Sequence, residues 1–140
     1  MATSDLLIID GDVEYGDYPA SLTTRKIQLG ETVARMVPVY YDETTNRWLT
    51  CVSTNSAKYA AQALTFTSGV AGEWVEAVTS GKVVVGASLS KGRRYVVSSV
   101  SGKIMLDSDL TTGDYPHTLG FAHSTTELDV MLISHGGIML

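Results

Sequence analysis

The stretch LSKGRRYVVSS, residues 89–99, gathers three of the chain's ten basic residues around one glycine. Two structures suit such a cluster: a loop that grips phosphate, or a turn that launches a strand. A phosphate loop needs the spacing GxxxxGK[ST] and a helix behind it. Here Lys91 precedes Gly92, no partner glycine stands at that spacing, and Tyr95-Val-Val97 favours a strand. The stretch therefore reads as a charged turn. Lys91, Arg93 and Arg94 keep a strand edge in water, and their functional alternative is contact with an acidic protein surface.

Working outward, the same grammar repeats. β-branched and aromatic runs fall at 37–41, 47–52, 74–79, 82–85, 95–98 and 129–133. Asp42–Asn46, Ser68-Gly69, Ser80-Gly81, Lys91-Gly92 and Ser101-Gly102 separate or flank them as turn signals. Short strands punctuated this way predict an all-β fold, a compact antiparallel barrel or sandwich. One stretch, Ser56–Ala63, suits either two turns of helix or an irregular segment. Ser80-Gly-Lys-Val83 returns as Ser101-Gly-Lys-Ile104, which predicts consecutive strand-turn units, and Gly16-Asp-Tyr-Pro19 returns as Gly113-Asp-Tyr-Pro116.

The chain of 140 residues, 44% hydrophobic and 18% charged, suits one ordered domain. A single cysteine, Cys51, allows no intrachain disulfide. No run approaches the ~18 apolar residues of a membrane span, and the opening residues lack a secretory pattern. The expectation is a soluble protein made in the cytoplasm, with no membrane partner. The net charge of −5 resides entirely in Asp5, Asp10, Asp12, Glu14 and Asp17; everything after residue 24 sums to zero. A neutral body with an acidic leader argues against a nucleic-acid partner.

Chemistry-bearing patterns are sparse. His117, His123 and His135 match no zinc spacing. Asp107-Ser-Asp109 with Asp114 resembles part of a calcium loop, but Thr111 stands at the third ligand position and the glycine is misplaced. Gly86-Ala-Ser-Leu-Ser90 lacks the second glycine of a nucleophile elbow. Cys51 sits in an apolar run and reads as buried filler. No catalytic residue, metal site or cofactor is expected. Tyr40, Tyr41, Trp48, Tyr59, Trp74 and Tyr95 suit either a sugar-binding platform or core packing.

Taken in order, one series of elements resembles the head-decoration, or capsid cement, proteins of tailed bacteriophages. It runs from Gly30–Asp42 with its PVYYD ending, through Asn46-Arg-Trp48, Ala63-Leu-Thr65, Gly69–Val78 and Gly81-Lys-Val83. It continues with Leu89–Tyr95, Ser98, Gly102-Lys-Ile104, Leu119–Ala122 and Leu128-Asp-Val130, and so covers about residues 29–134. The resemblance implies a β-tulip-like barrel on the outer surface of an expanded virion capsid, made in the host bacterial cytoplasm. It also implies the major capsid protein as partner and self-association as a homotrimer or, alternatively, a dimer. No catalytic residue comes with it.

The resemblance divides the chain into residues 1–28, an extended arm or first strand, and a decoration domain at 29–140. The arm carries Leu6, Leu7, Ile8 and Ile9 fenced by acids, with Asp10, Asp12, Tyr15 and Tyr18 following. That run suits an internal strand or an arm that adds a strand to a neighbour. Twenty extended residues reach roughly 66 Å. Ile138, Met139 and Leu140 form an apolar tail that requires burial. With Lys91, Arg93 and Arg94, these are the expected capsid or subunit contacts. The rival reading is a β-rich host-receptor or glycan-binding module of a head or tail fibre.

Overall fold

The computed structural model describes residues 22–85 and 88–135. Among these residues nine strands follow one another: β1 (Thr23–Gln28), β2 (Pro38–Asp42), β3 (Arg47–Thr50), β4 (Ala63–Thr65), β5 (Trp74–Val84), β6 (Arg94–Val97), β7 (Ile104–Leu106), β8 (His117–Ala122) and β9 (Glu127–Ser134). A 3-10 turn, Asp107–Asp109, follows β7. The fold is all-β, one curled antiparallel sheet ordered β3-β2-β4-β5-β9-β8-β6-β7, with β1 paired to β5.

The long strand β5 organises everything else. Ala77 pairs with Arg25 of β1 and with Thr65 of β4; Val78 pairs with Thr24 and with Leu64. Both edges of β5 are therefore filled at its middle. Successive side chains leave a strand on opposite faces, and here both faces are covered. Val75 and Ala77 enter a smaller core with Ile27, Leu29, Val37, Val39, Trp48 and Ala63. Val78 and Leu64 enter a larger one with Tyr95, Val97, Ile104, Leu119 and Leu128. β4 and the middle of β5 are thus a partition between two cores. The one polar residue of β4, Thr65, is buried but satisfied: its hydroxyl donates to the Ala34 carbonyl (2.8 Å) and accepts from the Val37 N–H (2.9 Å).

The smaller core is closed into a ring. Past β1, Leu29 forms a parallel bridge with Trp48 of β3, and the Gly30 N–H donates to the Trp48 carbonyl at 2.8 Å. Strands β1, β5, β4, β2 and β3 thereby return on themselves. The Arg25 guanidinium lies 4.9 Å over the Trp48 ring and Tyr41 meets that ring edge-on at 5.7 Å. Both shield the indole from water.

One expectation changes on contact with the structure, and one left open is decided. The runs at 74–79 and 82–85 are one strand of eleven residues, and Ser80-Gly81 is a kink within it. Gly81 adopts φ +103, which a side chain resists, and so bends β5 from its pairing with β1 toward β9. Its echo, Ser101-Gly102, is a true turn between β6 and β7. Residues 56–62 form no helix; turns there lead into β4. Finally, β1 shows that the end of segment 1–28 is a sheet strand, while Leu6 to Tyr18 lie outside the described residues.

Gly120 marks the closest backbone approach. The β8–β9 register shifts between Thr118 and Gly120, and a Cβ at residue 120 would collide with the Asp129 carbonyl. Because the obstacle is main chain, it cannot swing aside. Gly120→Ala is expected to lower unfolding free energy by about 3 kcal/mol in urea titration; a loss below about 0.5 kcal/mol contradicts this packing.

Candidate functional site

The basic cluster Lys91, Arg93 and Arg94 is built as a turn. Gly92 adopts φ +79 between β5 and β6. Arg93 and Arg94 both reach Asp107, at 3.3 and 3.4 Å, tying β6 to the 3-10 turn after β7. Both ion pairs are partly exposed and long, so each adds little stability. Lys91 stays exposed at the tip. Of the predicted contacts these three alone are described; Leu6, Leu7, Ile8, Ile9, Asp10, Asp12, Tyr15, Tyr18, Ile138, Met139 and Leu140 lie outside the described residues.

The acids do not converge. Asp107 faces the two arginines, whereas Asp114 is buried as a bracket between loops. One of its oxygens accepts from the Ser53 hydroxyl at 2.6 Å, and the other accepts from the Thr111 N–H at 2.8 Å. The Tyr115 N–H donates to the Ser53 carbonyl at 2.7 Å, and Tyr115 stacks on Tyr59. Among the described residues no group of three or more His, Cys, Asp or Glu side chains is placed to hold a metal. No helix among them is long and apolar enough to cross a membrane.

Cys51 is fully buried in the larger core, and burial pushes its thiol pKa far up, away from the thiolate a nucleophile needs. His117 is buried too, with Nε2 2.9 Å from the Ala61 carbonyl. A carbonyl accepts only, so Nε2 carries the proton and Nδ1 keeps a bare lone pair. That Nδ1 is buried without a hydrogen-bond partner. Burial holds the imidazole pKa below its ordinary value; the Ala61 bond opposes this and His135 reinforces it.

The aromatics separate rather than form a platform. Trp48 and Tyr95 are buried, Tyr59 stacks on Tyr115, and Tyr41 leans on Trp48. Trp74 alone stands out, 65% exposed at the start of β5 beside Val70 at 53%. Its base is stapled: the Leu29 N–H donates to the Glu73 carbonyl at 2.9 Å, and the Gly72 N–H to the Leu29 carbonyl at 2.7 Å. The Gln28 side chain donates to the Gly72 carbonyl, and the Glu73 carboxylate accepts the Val70 N–H at 2.8 Å. The backbone leading into a large exposed ring is thus fixed by hydrogen bonds. A second apolar area, Phe121, Met131, Ile133 and Val84, lies on β8, β9 and the end of β5. Register interleaves it with charge, setting Phe121 against Asp129 and Asp129 against Lys82.

Sequence reasoning counted Trp74 among core or platform aromatics and left it out of the contacts. Local pattern held no signal for its exposure: Val78, on the same face of the strand as residue 74, is buried in the larger core, so alternation does not mark residue 74 as exposed.

Two outcomes follow from the buried titratable groups. The unfolded chain protonates His117 near pH 6.5 while the folded chain resists, so stability is full above that pH and falls as pH drops below it. The urea midpoint is expected to decline from pH 7 to pH 5, and His117→Gln, which retains an N–H donor for Ala61, is expected to flatten that decline; an unchanged slope contradicts the assignment. Cys51 is expected to ignore a thiol reagent until the chain is unfolded, and rapid native labelling would contradict its burial. The chain matches no protein-family model and no curated protein.

Proposed function

We propose that this chain is a structural adhesion protein that binds the outer surface of an expanded phage capsid and stabilises it by bridging neighbouring major capsid protein subunits. The observation that carries the reading is Trp74, a tryptophan left 65% exposed on a hydrogen-bonded base. Tryptophan is among the residues around which protein contacts concentrate their energy. Fixing the backbone beneath it beforehand reduces the ordering cost of binding. The ordered resemblance across residues 29–134 supports the capsid as the surface in question.

In this reading the two-core body is a stiff spacer and the exposed apolar groups are its adhesive. Binding only the expanded shell stabilises that state by mass action. A trimer, or a dimer, multiplies a modest contact through effective concentration. The chain then resides on the virion exterior after synthesis in the bacterial cytoplasm. A glycan- or receptor-binding module is the competing reading, and the separation of the six aromatics favours it less.

The test uses shells prepared without the chain, expanded and unexpanded, with host cells as a third surface. Saturable binding to expanded shells alone, with a raised rupture temperature, is the expected result. Trp74→Ala is expected to weaken that binding about 30-fold, a loss of about 2 kcal/mol, while changing unfolding free energy by less than about 0.5 kcal/mol. Binding to host cells but not to shells would overturn the proposal in favour of its rival.

A further inference from the structure

Glu31 follows the bridge that closes the smaller ring. Its carboxylate accepts the Thr50 N–H at 3.3 Å and the Thr50 hydroxyl at 3.2 Å. Thr50 Oγ lies in turn 3.1 Å from the Ser101 hydroxyl on the β6–β7 turn. Beside this chain of oxygens opens a cleft of about 230 Å³ between the ring and that hairpin. Val33, Ala34 and Val37 supply its apolar lining. Gly102 lines it at the turn with φ +78, the left-handed conformation that favours glycine.

Three features define what fits. The carboxylate has room for about four hydrogen bonds and receives two, both longer than a charge-assisted bond of about 2.7–2.9 Å. The ion pairs found among the described residues join Arg93 and Arg94 to Asp107, and none reaches Glu31. The volume is below the ~300 Å³ at which small-molecule sites begin, which suits one inserted side chain. An apolar lining beneath an under-coordinated carboxylate and two hydroxyls matches a long aliphatic stem ending in a cation.

We infer that this cleft receives a lysine or arginine side chain from the protein partner. The inference deepens the adhesion reading and rests on it for the partner's identity, although the cleft is testable without a capsid. The stem lies along Val33, Ala34 and Val37, and the cationic head reaches Glu31 with Thr50 and Ser101 beside it. Such a contact fixes register and excludes wrong partners more than it adds affinity.

The experiment titrates the ¹⁵N-labelled full chain with the N-acetyl methylamides of lysine, arginine and norleucine, the last a neutral counterpart of lysine. Saturable shifts are expected at Thr32, Thr50, Ser101 and Gly102 with a basic compound, with norleucine about fivefold weaker, the upper range for an exposed pair. Glu31→Gln, which keeps an acceptor for Thr50, is expected to erase that preference. Added salt is expected to weaken lysine or arginine binding to the unaltered chain while leaving norleucine unchanged, a readout independent of the variant. Equal response to all three compounds, shifts elsewhere only, or a preference surviving both salt and Glu31→Gln overturns the assignment. Since no shell is present, failure here leaves the capsid-binding test standing, and failure of that test leaves this one intact.

Discussion

A strand filled on both edges and both faces has almost no freedom left, and the middle of β5 is such a strand. Ala77 and Val78 each hold a partner in β1 and another in β4, and their side chains enter different cores. Neither core can form without this wall. Small residues suit it: Ala77 and Ala63 let the ring close tightly around Trp48, while Val78 and Leu64 fill the wider space opposite. Displacing the wall exposes apolar surface in both directions at once, at about 25 cal/mol for each Å² returned to water.

This arrangement explains which parts of the fold were legible in the sequence. Half-buried strands announce themselves by β-branched runs and turn residues, so β2, β3, β6 and β9 were found close to their observed limits. β4 has three residues and sits behind an alanine-rich stretch, so its signal was lost in local ambiguity. β1 has Thr23, Arg25 and Lys26 exposed, a surface pattern that hides a strand fixed by its neighbours. Ser80-Gly81 looked like a turn because glycine marks a positive φ without revealing whether the chain reverses or merely bends. Tertiary pairing with β9 decided that question, and pairing lies beyond local pattern.

The candidate site was less legible for a related reason. The basic turn was read from its glycine spacing and the strand-forming residues behind it, and a turn followed by β6 stands there. Its engagement with Asp107 depends on β6 and β7 lying side by side, which no spacing encodes. The cleft at Glu31 joins residues 31, 50 and 101, three segments distant along the chain. Trp74 was visible as a tryptophan but not as an exposed one, because its exposure depends on where the larger core ends along β5. Both features are accordingly properties of the assembled surface, which local pattern does not encode.

The wall is tested most directly by native-state hydrogen exchange of the full chain, followed residue by residue under rising urea. The account predicts that the amides of Ala77, Val78 and Leu64 and those of both cores, from Val39 in the ring to Val97 and Leu119 beyond it, converge on one opening free energy equal to that of global unfolding. Ring amides that exchange through a separate, cheaper opening while Val97 and Leu119 stay protected would contradict it, because the two cores would then not share the partition on which the structure is built.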